Sequence, residues 1–486
     1  MSSESLKAKT IGSLFWKFFE RGGSNIVSLL VQIVMARILS PTEFGMLAIM
    51  LVFVSLGNMI VQSGFNTALV QTPHADDGDF TTVFWISFIV SLALCFLIWI
   101  ASPVIAAYYE MPDLRYPLCA LSLLLIINAY NSIQVAIVQR SLEFKKIFTA
   151  TIVSVVLSGV IGILLALNGF GLWALVAQQL IYQLANCIVL STQVRWRPKF
   201  TFKARRAYEL FSFGWKMLVG SVIETLYSNV VDLIVGKQFS ATVLGFVSQG
   251  KKYPATLGAM IDGAIQPVML AAVSSVQDDI SRVRKLTRKA LQTSSYLVTP
   301  CMATLALVAE PLVRVLLGEQ WVPCVWFMQV YCVTQMFLPI HSSNLQAING
   351  LGRSDITLKL VLIKKTYSIL FLMLAVLVFD SIYFLIGSYI VSGIISTFVN
   401  AYPNKRLLKY GYMQQVKDIF PGVALTAVSV GLSYPISLLN LPDIVTIVAQ
   451  FAMVVGSYIG FSKLFKVKIF DYLLATAKEV VVLKRG

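Results

Sequence analysis

An all-α membrane protein with about fourteen transmembrane helices is the fold class that this sequence predicts. Hydrophobic residues make up 57% of its 486 residues and charged residues only 13%, whereas an average soluble domain carries roughly 25% charged residues. The apolar residues form runs of about 20, the length that a helix needs to cross a bilayer, and not the alternating ten-residue segments of a membrane β-barrel. Composition and run length therefore exclude a soluble, a disordered and a β-barrel protein.

The apolar runs divide the chain into fourteen predicted spans, numbered in chain order. Spans 1 and 8 contain ionisable residues, and a hydropathy window alone would place them in loops. The predicted spans cover residues 12–37, 43–64, 81–109, 115–138, 147–168, 171–193, 211–236, 241–272, 290–317, 322–348, 358–379, 382–402, 417–437 and 442–464.

Lysine and arginine residues are concentrated in alternate loops of this topology. One set of loops is strongly basic, as in residues 195–206, 282–289 and 405–417, while the loops between them hold essentially Arg115 and Lys237. Basic loops stay in the cytoplasm, so both termini are predicted to be cytoplasmic. The net charge of +16 then reflects topology and attraction to anionic lipid headgroups, and we expect no nucleic-acid partner.

The chain also contains an internal repeat. Matching residues recur in the same order about 200 positions apart: Trp16-Lys17 with Trp215-Lys216; Arg37, Ser40, Thr42 and Gly45 with Lys237, Ser240, Thr242 and Gly245; Gln134 and Arg140-Ser141 with Gln346 and Arg353-Ser354. The repeat predicts two six-helix lobes, residues 1–205 and 206–404. Outside the repeat lie spans 13 and 14, in residues 405–464, and a predicted amphipathic cytoplasmic tail, in residues 465–486. Because each lobe has an even number of helices, the lobes are parallel, as in transporters that bind substrate between two halves.

Polar and charged residues follow one face of several spans, although a charge in mid-membrane costs about 2.5–3.5 kcal/mol. Span 1 carries a seven-residue polar stripe at helical spacing: Lys17, Glu20, Arg21, Ser24, Asn25, Ser28 and Gln32. Equivalent faces occur in three other spans. They consist of Asn58 and Gln62 in span 2, of Ser221, Glu224, Thr225, Ser228 and Asp232 in span 7, and of Lys251, Lys252, Asp262 and Gln266 in span 8. We expect these faces to line one hydrated central cavity.

Each polar residue has a possible role in this cavity. The substrate-binding candidates are Lys17, Arg21, Asn25, Gln62, Ser228, Lys251 and Lys252, with Arg21 and the two span 8 lysines as anion ligands. The candidates for cation coupling are Glu20, Glu224, Asp232 and Asp262. The alternative is structural pairing, of Glu20 with Arg21 or Lys17 and of Glu224 with Lys216 or Lys252.

Uncharged polar residues occur in spans 4, 6 and 10. They suit the hydroxyl groups of sugars, and they equally suit hydrogen bonding between helices. The residues are Asn131, Gln134, Gln178, Gln179, Gln183, Gln335, Ser342, Asn344 and Gln346.

Sequence motifs of catalysis are missing from the chain. It has no Walker A loop, no HExxH, no GxSxG and no CxxC pair, and two histidines cannot form a His-rich metal site. We therefore expect no enzyme activity, no cofactor and no metal. The acidic run Asp76-Asp77-Gly78-Asp79 is interpreted as a cap of span 3.

Several segments resemble bacterial polysaccharide flippases over roughly residues 10–420. The segment Ala36–Gly45, ARILSPTEFG, is similar to the A-R-x-L-S-P-x-[DE]-[FY]-G segment at the end of their first helix. Residues 64–71, 82–85 and 139–144 look like the branch that exports colanic acid and related polysaccharides. This is the polysaccharide transporter branch of the multidrug/oligosaccharidyl-lipid/polysaccharide exporter superfamily.

The resemblance implies two parallel six-helix lobes in a V shape, in a bacterial inner membrane. The cargo would be an undecaprenyl-pyrophosphate-linked oligosaccharide, moved outward for exopolysaccharide, capsule or O-antigen synthesis, with polymerase and export machinery as further partners. Arg21 matches, in role and helix, the first-helix arginines of related lipid flippases. One chain completes the cavity, so we expect a monomer. A cation-coupled multidrug exporter remains the alternative, and a glycan polymerase is disfavoured because no loop exceeds about 17 residues.

Overall fold

The computed structural model describes residues 23–25, 27–62, 76–141 and 143–483. All regular structure in these ranges is helical, so the all-α prediction is confirmed. Contacts between Cα atoms divide the chain into two compact units, unit 1 with residues 1–248 and unit 2 with residues 249–486.

The helices of unit 1 lie close to the predicted spans 1 to 7. They are α1 (Gly23–Ile38), α2 (Pro41–Gln62), α3 (Asp77–Tyr108), α4 (Arg115–Ser141), α5 (Phe144–Leu167), α6 (Leu172–Gln193), α7 (Ala204–Gln238) and the first residues of α8 (Ala241–Ser274). The largest helix contacts are those of α5 with α6 and of α3 with α4.

In its described residues, unit 2 contains the rest of α8 and nine further α-helices. They are α9 (Ile280–Leu307), α10 (Ala309–Leu316), α11 (Cys324–Met336), α12 (Leu338–Gly350), α13 (Ser354–Leu374), α14 (Ile382–Leu407), α15 (Tyr412–Ser433), α16 (Asp443–Leu464) and α17 (Lys468–Leu483). The helix α17 lies in the predicted amphipathic tail.

Ten helices of the described residues are long and apolar enough to cross a membrane, or eleven if the bent pair α9–α10 forms one span. Each of the fourteen predicted spans contains a helix or a pair of helices. The shorter α1, the polar α7 and the divided α11–α12 account for the difference. The chain is a multi-pass membrane protein, and the count of fourteen crossings stays a prediction.

Two predicted spans are broken helices. Span 9 bends by 66° between α9 and α10, and span 10 is divided between α11 and α12. Pro311 and Pro339 each lie in the first turn after the break, where proline has no N–H to continue the hydrogen bonds of the preceding helix. Apolar content alone did not reveal these breaks.

The acidic run before α3 is a helix cap, as predicted. Asp76 accepts a 2.8 Å bond from the backbone N–H of Asp79, and the Asp79 side chain accepts from the Asp76 N–H, which completes a capping box. The Lys203 ammonium donates to Asp76 at 2.7 Å. This bond and the Asp79 N–H lower the pKa of Asp76.

Apolar cores lie within each unit. In unit 1, Phe84, Ile133 and Trp196 are buried together between α3, α4 and the end of α6. In unit 2, Val273 and Tyr410 belong to a core that joins α8 to the segment before α15.

The repeated segments meet at a reciprocal contact in unit 1, which we call the α2–α8 crossing. A Cβ atom on Gly45 would lie 1.7 Å from the carbonyl oxygen of Ala241, and one on Gly245 would lie 2.0 Å from that of Pro41. The hydroxyl groups of Thr42 and Thr242 are hydrogen-bonded between them at 2.8 Å. Residues 200 positions apart therefore make equivalent contacts, each of which requires glycine.

The end of α3 packs beside this crossing. Lys237 of α7 forms an ion pair with Glu110 at 2.8 Å, and the bond lowers the pKa of Glu110. The hydroxyl of Tyr109 donates to the carbonyl of Leu233 at 3.4 Å. The side chain of Glu110 is largely exposed, so we expect the ion pair to contribute little to stability.

We predict that alanine at either glycine of the crossing destabilises the protein. Gly45→Ala or Gly245→Ala inserts a methyl group against a backbone carbonyl, and such overpacking typically costs about 1–3 kcal/mol. Thermal unfolding of the detergent-solubilised chain measures the change.

Gly456→Ala in α16 is the matched control, because no atom lies within 4 Å of a Cβ at that position. Alanine favours helix there by up to about 1 kcal/mol, so the unfolding temperature stays equal or rises. Equal unfolding temperatures for all three variants and the parent chain would contradict the close approach.

Candidate functional site

The predicted site residues belong to four predicted spans, and only some lie in the described part of the chain. Lys17, Glu20 and Arg21 lie outside the described residues. Asn25 is half-buried on α1, and Gln62 is half-buried at the end of α2.

The polar face of α7 is the most open part of the predicted site. Glu224 and Ser228 are exposed, whereas Asp232 is half-buried. The Ser228 hydroxyl donates to the carbonyl of Thr225 at 3.0 Å, as serine commonly does within a helix. The spacing of these residues on α7 places them along one face, as the sequence indicated.

Lys251 and Lys252 lie on α8 where this helix packs closely on α11. A Cβ on the preceding Gly250 would lie 2.8 Å from the Cβ of Phe327, so glycine sets the helix separation. Both lysines are half-buried. Within the described ranges, neither lysine forms a salt bridge or a side-chain hydrogen bond, whereas Lys203 and Lys237 do. The α8 lysines therefore lie in an apolar span without a counter-ion among the described residues.

Asp262 lies ten residues further along α8 and is part of a separate cluster in unit 2. Its carboxylate accepts hydrogen bonds from the Ser342 hydroxyl and from the amide of Gln266. The side-chain N–H of Gln266 also donates to the Ser342 hydroxyl at 2.8 Å, and the side-chain amide of Gln346 donates to Oε1 of Gln266 at 3.1 Å. Ten residues of helix separate Asp262 from Lys252 by about 15 Å, so we do not expect them to neutralise each other directly.

Other polar residues of the predicted site join helices. Asn128 of α4 donates to Asn58 of α2 at 2.8 Å, and Asn131 donates to Asn186 of α6 at 3.2 Å. In unit 2, Asn344 donates to Gln415 at 2.8 Å. For Asn131 and Asn344, the structure therefore favours the packing alternative.

A polar pocket of about 130 Å³ lies between α1, α5 and α6, all within unit 1. We call it the α1–α5–α6 pocket. Its polar lining residues are Ser28, Gln32, Ser158, Gln178, Gln179 and Tyr182. The Oε1 atom of Gln32 is buried and accepts no hydrogen bond from the described residues.

Close packing fixes the walls of this pocket. A Cβ on Gly159 would lie 2.4 Å from a methyl group of Val31, so glycine lets α1 approach α5. Ser28 and Gln32 are one helical turn apart on α1, as are Gln178 and Tyr182 on α6. Gln183, which the sequence grouped with Gln178 and Gln179, does not line the pocket.

Sequence reasoning missed the contribution of α5. Ser154, Ser158 and Gly162 follow each other at intervals of four residues, the small-xxx-small pattern that lets membrane helices approach closely. This pattern was a usable signal for the position of α5 against α1 and α6.

Comparison with known proteins gives a consistent result. A family model described as polysaccharide biosynthesis protein matches residues 34–326. The succinoglycan biosynthesis transport protein ExoT of Rhizobium meliloti is 24% identical over 352 residues, which cover 72% of this chain and 71% of that protein. The lipopolysaccharide biosynthesis protein WzxC of Escherichia coli is 23% identical over 361 residues, 73% of each chain.

A solved structure of the lipid II flippase MurJ, in an inward closed conformation, has a similar fold. It superimposes with a TM-score of 0.73 at 14% sequence identity, and the match covers 94% of this chain and 98% of that one. The likeness extends over nearly all of both chains.

We predict that removal of the Asp262 carboxylate destabilises unit 2. Asp262→Ala removes the acceptor of the buried Ser342 hydroxyl and one of the two acceptors of the Gln266 amide. An unsatisfied buried group costs about 1–3 kcal/mol. Ser342→Ala should lower the free energy of unfolding less in the Asp262→Ala variant than in the parent chain, because the two residues share one hydrogen bond.

Thermal unfolding of the four chains measures this coupling. Asp278→Ala is the control, since Asp278 is exposed in the segment before α9 and its removal should leave the unfolding temperature unchanged. Additive effects of Asp262→Ala and Ser342→Ala would sink the interpretation of one shared cluster.

Proposed function

The chain belongs to the polysaccharide biosynthesis protein family, and we propose on this basis that it is a flippase for lipid-linked oligosaccharides. It carries a polyprenyl-pyrophosphate-linked repeat unit from the cytoplasmic to the periplasmic leaflet of a bacterial inner membrane. The product supplies exopolysaccharide, capsule or O-antigen synthesis. The MurJ-like fold supports a flippase and not an enzyme, since the fold is that of a lipid flippase.

The pair of unpaired lysines on α8 is the observation that carries the proposal. A lysine in an apolar span costs about 2.5–3.5 kcal/mol on insertion scales, and Lys251 and Lys252 have no counter-ion among the described residues. An anionic pyrophosphate would supply the missing negative charge. Lys17 and Arg21 of the first span would add to this cationic site, while Asn25, Gln62 and Ser228 suit neutral groups of the cargo.

The same lysines argue against a multidrug exporter. Such a carrier binds cationic drugs, and two unpaired ammonium groups in its site would repel them by Coulomb interaction. A pyrophosphate has the complementary charge. The lysines therefore favour the flippase over the alternative function.

The membrane potential favours the proposed direction of transport. Moving one negative charge outward across a membrane that is negative inside releases about 2.3 kcal/mol per 100 mV. Glu20, Glu224, Asp232 and Asp262 are the residues that would couple a counter-flow of protons or sodium ions, if transport uses one.

We assign the α2–α8 crossing to the extracytoplasmic side of the carrier. The predicted topology has cytoplasmic termini and places the loops before α2 and α8 outside. Alternating access then requires Thr42 and Thr242 to separate when the cargo leaves. A single chain would perform this cycle and hand the cargo to the polymerase and export machinery.

Loss of Lys252 should slow outward transport of the cargo strongly. In cells lacking the protein, lipid-linked oligosaccharide accumulates in the cytoplasmic leaflet, and the parent chain restores its sidedness. Lys252→Met and Arg21→Ala each remove a charge-assisted hydrogen bond worth about 1.5–3 kcal/mol, so the transport rate falls by about 10- to 100-fold. Lectin labelling of intact spheroplasts measures the sidedness, because the lectin reaches only glycans in the outer leaflet.

Lys463→Met is the matched control for this experiment. Lys463 also lies in unit 2, but it is exposed near the end of α16, and its variant should transport at the parent rate. Membrane content of each variant is measured by immunoblot. Normal sidedness in the deleted cells, with no second flippase present, would reject the proposed function.

A disulfide across the α2–α8 crossing should stop transport reversibly. The Thr42 and Thr242 oxygens are 2.8 Å apart, so cysteines at these positions can form a disulfide. Oxidation of the double variant traps the closed extracytoplasmic side, and reduction restores transport.

A second cysteine pair controls for cross-linking itself. The hydroxyl groups of Ser368 on α13 and Ser392 on α14 are 3.1 Å apart within unit 2, and these helices move together under the proposed mechanism. Their disulfide should leave transport intact. Full transport by the oxidised Thr42→Cys/Thr242→Cys protein would show that the crossing does not open.

A further inference from the structure

The α1–α5–α6 pocket is built from neutral polar groups. Its lining contains three glutamine amides, two serine hydroxyls and one tyrosine, and no aspartate, glutamate, lysine or arginine of the described residues lines it. A phosphate or an ammonium ligand would find no opposite charge among these described lining residues. The pocket is therefore suited to a neutral ligand that both donates and accepts hydrogen bonds.

The hydrogen-bonding capacity of the pocket is only partly used. Gln32 Oε1 is buried without a donor among the described residues, although the great majority of buried polar atoms in proteins have a partner. Each glutamine amide presents two donors and one acceptor oxygen. These groups match the hydroxyls of a sugar, which can act as donor and acceptor at the same time.

The size of the pocket limits the ligand. A volume of about 130 Å³ is well below the about 300–1,000 Å³ of pockets that enclose whole drug-sized ligands. This space accepts one edge of a single sugar ring and not a whole oligosaccharide. Gly159 holds α1 against α5, so the lining groups are positioned before a ligand arrives, which lowers the entropic cost of binding.

We propose that the α1–α5–α6 pocket is a subsite that binds hydroxyl groups of one sugar of the transported glycan. The subsite rests on the proposed flippase function and adds a basis for cargo selection to it. The pyrophosphate is common to every lipid-linked glycan and cannot distinguish one from another. Hydrogen bonds to individual sugar hydroxyls can distinguish one glycan from another.

Three methionine variants test the subsite. Methionine matches glutamine in size but lacks its amide, so Gln178→Met and Gln179→Met remove pocket groups while keeping the volume. Gln183→Met is the matched control, because Gln183 lies on the same helix but outside the pocket. Ser158→Ala removes only a hydroxyl and serves if a methionine variant does not fold.

Two probes separate sugar binding from pyrophosphate binding. The lipid-linked oligosaccharide is extracted from cells lacking the protein, and undecaprenyl pyrophosphate provides the same lipid without sugar. Binding of each to the purified full chain is measured by native mass spectrometry in detergent. Loss of one hydrogen bond of about 0.5–1.5 kcal/mol weakens binding about 2- to 10-fold.

We expect Gln178→Met, Gln179→Met and Ser158→Ala to weaken binding of the lipid-linked oligosaccharide and to leave binding of undecaprenyl pyrophosphate unchanged. Gln183→Met should change neither. Unchanged oligosaccharide binding in the pocket variants, or equal weakening for both probes, would overturn the subsite while the flippase function stands. Failure of the parent chain to bind either lipid would instead reject the proposed function, and the subsite with it.

Discussion

The close approach of α2 and α8 at Gly45 and Gly245 is the constraint on which the arrangement of unit 1 depends. Two helix N-termini can approach this closely only if the residue at each point of backbone contact has no side chain, as at Gly45 and Gly245. The contact fixes where α2 and α8 begin, and each helix then carries candidate site residues further along its length. Gln62 on α2 and Asp262 on α8 are 200 residues apart, as are the residues of the crossing itself. One local contact thus fixes the positions of equivalent residues along these two helices.

The sequence predicted most helices because an apolar run of about 20 residues is itself the physical requirement for crossing a bilayer. The cap at Asp76 was also predictable, since a capping box involves residues only three positions apart. The breaks before Pro311 and Pro339 were missed, because the runs stay apolar across them. Neither proline changes the mean hydropathy enough to reveal that the helix ends there.

The candidate site could be predicted by residue type but not by partner. Gln178, Gln179 and Gln183 have the same side chain in one segment of α6, and only packing against α1 and α5 separates the first two from the third. Likewise, Asn344 was an equal candidate for cargo binding until its bond to Gln415 was known. Helical spacing fixes the direction of a side chain on its own helix, whereas its partners depend on helices far away in sequence.

Polar groups within the described spans divide into those that are satisfied by the protein and those that are not. Asn58, Asn128 and Asp262 have partners on neighbouring helices, and they hold these helices together. Among the described residues, the Lys252 ammonium has no counter-ion and Gln32 Oε1 has no hydrogen-bond donor. The first is a charge and the second a neutral acceptor. This difference suits a cargo with a charged and a neutral part.

A charge attracts any pyrophosphate, but a site that hydrogen-bonds a hydroxyl rejects analogues that lack the hydroxyl, because the polar groups of the site are then left unpaired. Binding strength and selection among glycans would therefore come from different residues, and a change in one need not alter the other.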